Sequence, residues 1–273
     1  MLGIKEYHRP ATLNQALSLL QRPGALPLAG GQSLLAEPRD DMHAVVDLQA
    51  LGLDSLQVEG ERLTIGAMVR LQQLVESPHA GPLLAEAARR EGPLTYRYAA
   101  TVGGTIVTHD ASSYLLLSLL VMDAEVEVQR VDGRRVFCLD ELLDDPAAAL
   151  KGGLITGVSA LAKATGSAIA GVARTPRDKP IVVVVVRLAR QGDACREARI
   201  ALGGVAARPL RAHQAEEELT GRRFNERLVG EVAARGVASL QPPADFRGSA
   251  DYRREMATVL TRRALLEVWS KHP

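Results

Sequence analysis

The sequence predicts an α+β protein of more than one domain, on three observations. At 273 residues the chain exceeds one ordinary domain and suits two or three smaller ones. Residues 1 to about 50 read as a small βαβ-like unit. From about residue 167 onward strands come first and helices afterwards, the order of an α+β domain. Hydrophobic residues make up 47% of the chain, enough for substantial cores.

The elements follow in order. Thr12 is placed to cap a helix in which Leu13, Ala16, Leu17 and Leu20 share one face, and Pro23 and Gly24 end it. Residues 25–29 read as a short buried strand stopped by Gly30 and Gly31, and 44–48 as a second strand. Residues 62–67 form another, ending at Gly66, and helical spacing occupies roughly 70–77 and 81–91. A polar, glycine-containing passage from Tyr96 to Thr105 leads through His109 and Asp110 into the apolar stretch 115–122. Alternation at 124–131 and again at 134–138, around Asp132 and Gly133, is a hairpin signature. The Ala- and Gly-rich stretch 145–170 reads as a domain junction. Strands are expected near 167–173, 180–188 and 196–203, and helices near 211–219, 223–235 and 250–269.

Composition removes several functions. The 33 basic and 32 acidic residues leave a net charge of +1, so no global field recruits nucleic acid or an anionic membrane. Aromatics are only 3%, which argues against stacking a row of bases. The first residues hold no apolar signal core. The run 181–186 is far too short to cross a bilayer, so direct membrane insertion is not expected. The two cysteines, Cys138 and Cys195, cannot alone ligate a cluster or a structural zinc; they read as free thiols of a cytoplasmic protein. The six histidines show no ligand spacing, and neither a P-loop, a G-x-G-x-x-G nor a G-x-S-x-G motif occurs.

Two short motifs carry chemistry. In Leu28-Ala29-Gly30-Gly31-Gln32-Ser33-Leu34, glycines directly after a strand let successive N–H groups face one concavity, a nest for a phosphate or diphosphate. A helical turn from Ser33 would add its free N–H groups and dipole, and Ser33 its hydroxyl. In Thr101-Val102-Gly103-Gly104-Thr105 the pattern returns. Either motif alone is also a plain turn. Together they suit a dinucleotide diphosphate held from two sides. Asp110 stands where a carboxylate accepts ribose or ribityl hydroxyls, or else caps a helix through 112–122.

The charged turn 174–180 before the valine run is either a simple strand entry or a place where Asp178 and Lys179 edge a cofactor pocket. Gly203-Gly204 reads as a turn. Arg253, Arg254, Arg262 and Arg263 read as a solvated helix face or a docking face for an acidic partner.

The order of these fragments resembles the medium, FAD-binding subunits of the molybdenum hydroxylase family, as in carbon monoxide dehydrogenase and the FAD domain of xanthine dehydrogenase. The matching residues begin at Tyr7-His8-Arg9-Pro10 and continue through Ala29 to Leu34, Val46-Asp47-Leu48, Thr64-Ile65-Gly66-Ala67 and Arg97-Tyr98. Thr101-Val102-Gly103-Gly104, Ala201-Leu202-Gly203-Gly204-Val205-Ala206 and Asp251-Tyr252-Arg253 complete the series. The resemblance implies two α+β lobes, 1–52 and 53–162, that bind FAD, and a C-terminal domain, 163–273, with a small antiparallel sheet and helices. It also implies that Ala29, Gly30, Gly31, Gln32 and Ser33, with Thr101, Gly103, Gly104 and Thr105, wrap the diphosphate. Asp110 matches a cofactor-binding aspartate, and Asp178, followed by Lys179, one beside the isoalloxazine. Electrons would come from a molybdopterin subunit through an iron–sulfur subunit to FAD, and leave to NAD, a quinone or oxygen. No acid–base catalyst is assigned, because flavin electron transfer need not use one.

The sequence departs from the family where Ala111, Ser112, Ser113 and Tyr114 replace a proline and an acidic residue, where Thr105 stands for asparagine, and where Lys179 stands for an aromatic. A lysine there favours the anionic reduced flavin. The departures keep two alternatives open: a paralogue without FAD that serves as an assembly or scaffold subunit, and a stand-alone flavin reductase.

Overall fold

The computed structural model describes residues 4–36, 40–163, 166–175 and 178–271. In chain order these begin with β1 (Glu6–His8), α1 (Leu13–Leu20), β2 (Ala25–Leu28), β3 (Ala44–Asp47), β4 (Leu56–Glu59), β5 (Arg62–Gly66) and α2 (Leu71–Glu76). Next come α3 (Gly81–Glu91), α4 (Leu94–Ala99), α5 (Val102–Thr108), α6 (Tyr114–Val121), β6 (Glu125–Arg130) and β7 (Gly133–Cys138). Then follow α7 (Leu139–Asp144), α8 (Pro146–Leu150), β8 (Gly153–Leu161), β9 (Ser167–Val172), β10 (Val182–Gln191) and β11 (Ala194–Gly203). The chain closes with β12 (Leu210–Arg211), α9 (His213–Leu219), α10 (Glu226–Ala238) and α11 (Ala250–Lys271). Two compact units result: residues 1–80, 92–108 and 124–162 in the first, and 81–91, 109–123 and 163–273 in the second.

In the first unit a parallel sheet of order β1-β3-β2 packs with α1. Thr12 caps α1 as its position predicts: the Gln15 amide donates to Thr12 Oγ1, and Gln15 Oε1 accepts from the Thr12 amide, each at 3.3 Å. Ala16 and Leu17 turn inward onto Ala25, Ala44 and Val46, the core that the apolar spacing requires. The second sheet is antiparallel, in the order β4-β5-β8-β6-β7, and β6–β7 is the expected hairpin.

Four readings change. The stretch 145–170 is no plain junction: it supplies α8 and β8, and β8 lies between β5 and β6. Its small residues hid the strand, yet close packing demands them, since a Cβ on Gly153 would lie 2.6 Å from Val128. The passage 94–108 is helical, so Gly103 and Gly104 sit in the first turn of α5 and not in an open turn. The helical turn expected from Ser33 starts earlier, at Gly31: Leu35 N donates to Gly31 O at 3.2 Å. The basic run is not one face, because Arg253 is buried and Arg254 and Arg262 pair with Asp251 and Glu226.

In the second unit an antiparallel sheet of order β12-β11-β10-β9 carries α9 and α11 against it, and α10 packs on those two helices. Val182, Val184, Val186 and Leu188 pack with Ala257, Leu260, Ala264, Leu265 and Val268 in its core. The remaining valines are buried too, so the run reads as continuous rather than alternating.

Candidate functional site

In the first unit the loop after β2 is set by one close approach. A Cβ on Gly30 would lie 2.1 Å from the Ala99 carbonyl oxygen and 3.2 Å from Ala100 Cα. Only glycine lets the end of β2 meet the chain just before Thr101. Gly31 then takes φ +71°, the left-handed conformation that reverses the chain. Among the described residues, the amides of Gly30, Gly31, Gln32 and Ser33 donate to no protein acceptor. Gln32 and Ser33 are exposed. Such a run of N–H groups leaves donors available to an anion.

The second glycine pair works differently. Val102 N donates to Val69 O at 2.9 Å and Gly103 N to Ala67 O at 2.8 Å. Gly104 N donates to Thr101 Oγ1 at 3.1 Å, and Thr105 N to Thr101 O at 2.9 Å. Thr105 Oγ1 also returns to Thr101 O, at 3.0 Å. The expected second row of free amides is therefore spent on anchoring α5. Gly103 is explained by packing, since its Cβ would lie 2.9 Å from that of Ala67. Gly104 is explained by its cap: a Cβ there would lie 2.9 Å from Thr101 Oγ1, the hydroxyl that accepts from the Gly104 amide. A glycine at that point keeps the first turn of α5 free of a side chain of its own.

In the second unit Asp110 is not the cap of α6. Ser113 is, its Oγ accepting from Leu116 N at 3.2 Å. Asp110 Oδ1 instead accepts from the amide and hydroxyl of Ser112, both at 2.9 Å. Its Oδ2 accepts from Lys179 Nζ at 2.6 Å. Burial pushes the Asp110 carboxyl up, but the Lys179 ammonium and the Ser112 donors outweigh it and hold the group below the ordinary carboxylate range. Asp178 points elsewhere and closes its own turn, accepting from Thr175 N at 3.1 Å. Pro176 and Arg177, within the same predicted turn, lie outside the described residues.

Two residues outside the predicted set shape this segment. Glu91, at the end of α3, accepts from Ser113 Oγ at 2.5 Å and from Leu115 N at 2.6 Å. Burial holds its carboxyl above the ordinary range despite those donors. Arg253 joins Ile181 and Gly204 from inside the fold. Ser113 was visible as a hydroxyl before an apolar run. Glu91, 22 residues from Ser113, leaves no local signal.

Residues 3–160 match the family model described as FAD binding domain in molybdopterin dehydrogenase, and residues 167–268 match the CO dehydrogenase flavoprotein C-terminal domain. The carbon monoxide dehydrogenase medium chain of Hydrogenophaga pseudoflava is 31% identical, with 97% of each chain covered. The nicotine 6-hydroxylase medium subunit of Paenarthrobacter nicotinovorans is 30% identical, again over 97% of each chain. A chain of the reconstituted CO dehydrogenase from Oligotropha carboxidovorans superposes with a TM-score of 0.91, at 29% identity and 99% coverage of each chain. Together with the glycine-gated cradle, these matches place the chain in the FAD-binding family of the molybdopterin dehydrogenases, as an oxidoreductase subunit of the carbon monoxide dehydrogenase medium-chain type.

Proposed function

We propose that the chain passes electrons from iron–sulfur clusters on one partner subunit, through FAD, to an external acceptor such as NAD, a quinone or oxygen. The observation that carries this reading is the approach of Gly30 to the Ala99 carbonyl, which leaves four amides free beside the start of α5. A diphosphate suits those amides, the Ser33 hydroxyl and the glycine turn that opens α5. Thr101 and Thr105 serve the cradle through the backbone they hold. Asp110, Asp178 and Lys179 belong to the ribityl and isoalloxazine end. FAD, when bound, supplies the conversion between two-electron and one-electron transfer. The residues of the chain bind and orient it and set the charge around it.

In this reading 1–52 and 53–162 are the two lobes of the FAD-binding part, and 163–273 is the C-terminal domain. The clusters and the molybdopterin belong to an iron–sulfur subunit and a large subunit, because two cysteines cannot hold a four-thiolate cluster. Among the described residues no helix is long and apolar enough to cross a membrane. Cys138 and Cys195 form no disulfide, which suits a reducing compartment, and we assign the complex to the cytoplasm.

The engaged amides of residues 102–105 favour a second reading, a scaffold subunit without FAD. The absorption spectrum of the purified chain separates the two. About one FAD per chain, lost in Gly30→Ala, is expected. A colourless protein that takes up no added FAD, yet still joins its partners, overturns the first reading in favour of the second.

A further inference from the structure

We propose that Arg253 is a positioning residue for the flavin face of the second unit, fixing from inside the fold the two backbone segments that carry Asp110 and Lys179. The inference rests on the flavin reading for the role of that pair, but not for the geometry.

Arg253 stands in the first turn of α11 and is only 2% exposed, among the largest fully buried side chains. Its Nη1 donates to Ile181 O at 2.8 Å and to Gly204 O at 2.9 Å, and its Nη2 to Asp245 Oδ1 at 2.7 Å. Ile181 lies two residues beyond Lys179. Gly204 N donates at 2.8 Å to Ala111 O, the residue after Asp110. One guanidinium therefore reaches toward both halves of the Lys179–Asp110 pair.

The two carbonyls converge only because residue 204 lacks a side chain. Gly204 has φ +77°, and a Cβ there would lie 2.1 Å from Ile181 O. The counter-ion is fixed as well: Asp245 Oδ1 also accepts from Arg247 N at 2.9 Å and Gly248 N at 3.2 Å. A buried ion pair is a poor device for stability alone, because an apolar group of similar volume often serves as well. A planar fork between carbonyls on separate segments sets a distance, which lysine or methionine does not.

The test uses the full chain with Arg253→Met and Arg253→Lys. Two quantities are read: the titration of the Asp110 carboxyl by carbon-13 NMR, and the dissociation constant for added FAD. In a folded variant, Asp110 is expected to titrate closer to an ordinary aspartate. The FAD dissociation constant is expected to rise about tenfold. Lys179→Met should then add little to the loss already caused. If Arg253→Met does not fold, Arg253→Lys decides by the same two readings. A folded variant in which Asp110 titrates as in the wild type overturns the proposal. A wild-type chain that binds no FAD sinks the flavin reading alone, and the Asp110 titration still judges Arg253.

Discussion

Lys179 Nζ and Asp110 Oδ2, 69 residues apart in the chain, stand 2.6 Å from each other. Each residue was a separate candidate for the same cofactor, and the fold makes each the partner of the other. The lysine side chain is 71% exposed and the aspartate 35%. An ion pair so open to water adds little stability. What it does is share charge: the carboxylate offsets the ammonium that a nearby flavin would feel.

Opposite effects on the flavin follow. Lys179→Met removes a cation and is expected to lower the flavin midpoint potential. Asp110→Asn leaves the ammonium uncompensated and is expected to raise it. Spectroelectrochemical titration of the two variants checks this, and shifts of the same sign count against it.

Glu91 has the opposite electrostatics to Asp110. Burial raises its folded-state pKa above the unfolded value, so the folded protein holds the proton more tightly. That contribution to stability is present at low pH and is lost as pH rises through the raised value. Glu91→Gln keeps an oxygen to accept from Ser113 and Leu115 and carries no charge. Thermal unfolding across pH 3 to 8 should show the variant gaining on the wild type as pH rises. A constant difference rules the assignment out.

The two glycine pairs should respond differently to one methyl. Gly30→Ala places a Cβ against the Ala99 carbonyl and is expected to cost about 1–3 kcal/mol, with loss of FAD. Gly104→Ala brings a Cβ to 2.9 Å from Thr101 Oγ1, so the cap must shift, which offsets the gain of about 1 kcal/mol in helix propensity. It should lose less stability than Gly30→Ala but bind FAD about tenfold more weakly. Calorimetry and FAD titration separate the two. Unchanged FAD affinity in Gly104→Ala removes Gly104 from the site.

Asp123 anchors three arginines. Its carboxylate accepts from Arg187, Arg199 and Arg211, each at 2.9 Å. Arg187 and Arg211 are largely hidden from water, and deleting the carboxylate leaves Arg187 to Glu197 and Arg211 to Glu216 as counter-charges. Asp123→Ala is expected to cost about 2 kcal/mol, the scale of lost charged hydrogen bonds. Asp123→Asn tolerates the left-handed φ of +48° and keeps acceptor oxygen, so it should cost less. Denaturant unfolding of the two variants checks the order.

Much was legible where the physics is local. The Thr12 capping box, the β6–β7 hairpin and the buried strand β10 need only neighbours in sequence. β8 carries strand formers in Leu154, Ile155, Thr156 and Val158, but the alanines and glycines on either side masked it, and its place is settled only once β5 and β6 flank it. The helical start at Val102 was illegible for a similar reason, because Ala67 O and Val69 O hold its first amides.

The sequence by itself determined the α+β class, most elements and the glycine motifs, because periodicity, caps and turns are written within a few residues. Only the tertiary structure decided what those motifs do. It left the amides of the first glycine pair free and consumed those of the second. It joined Lys179 to Asp110 and buried Arg253 between two carbonyls. These are long-range pairings, and hydrogen bonds between distant segments exist only when packing has brought both ends together.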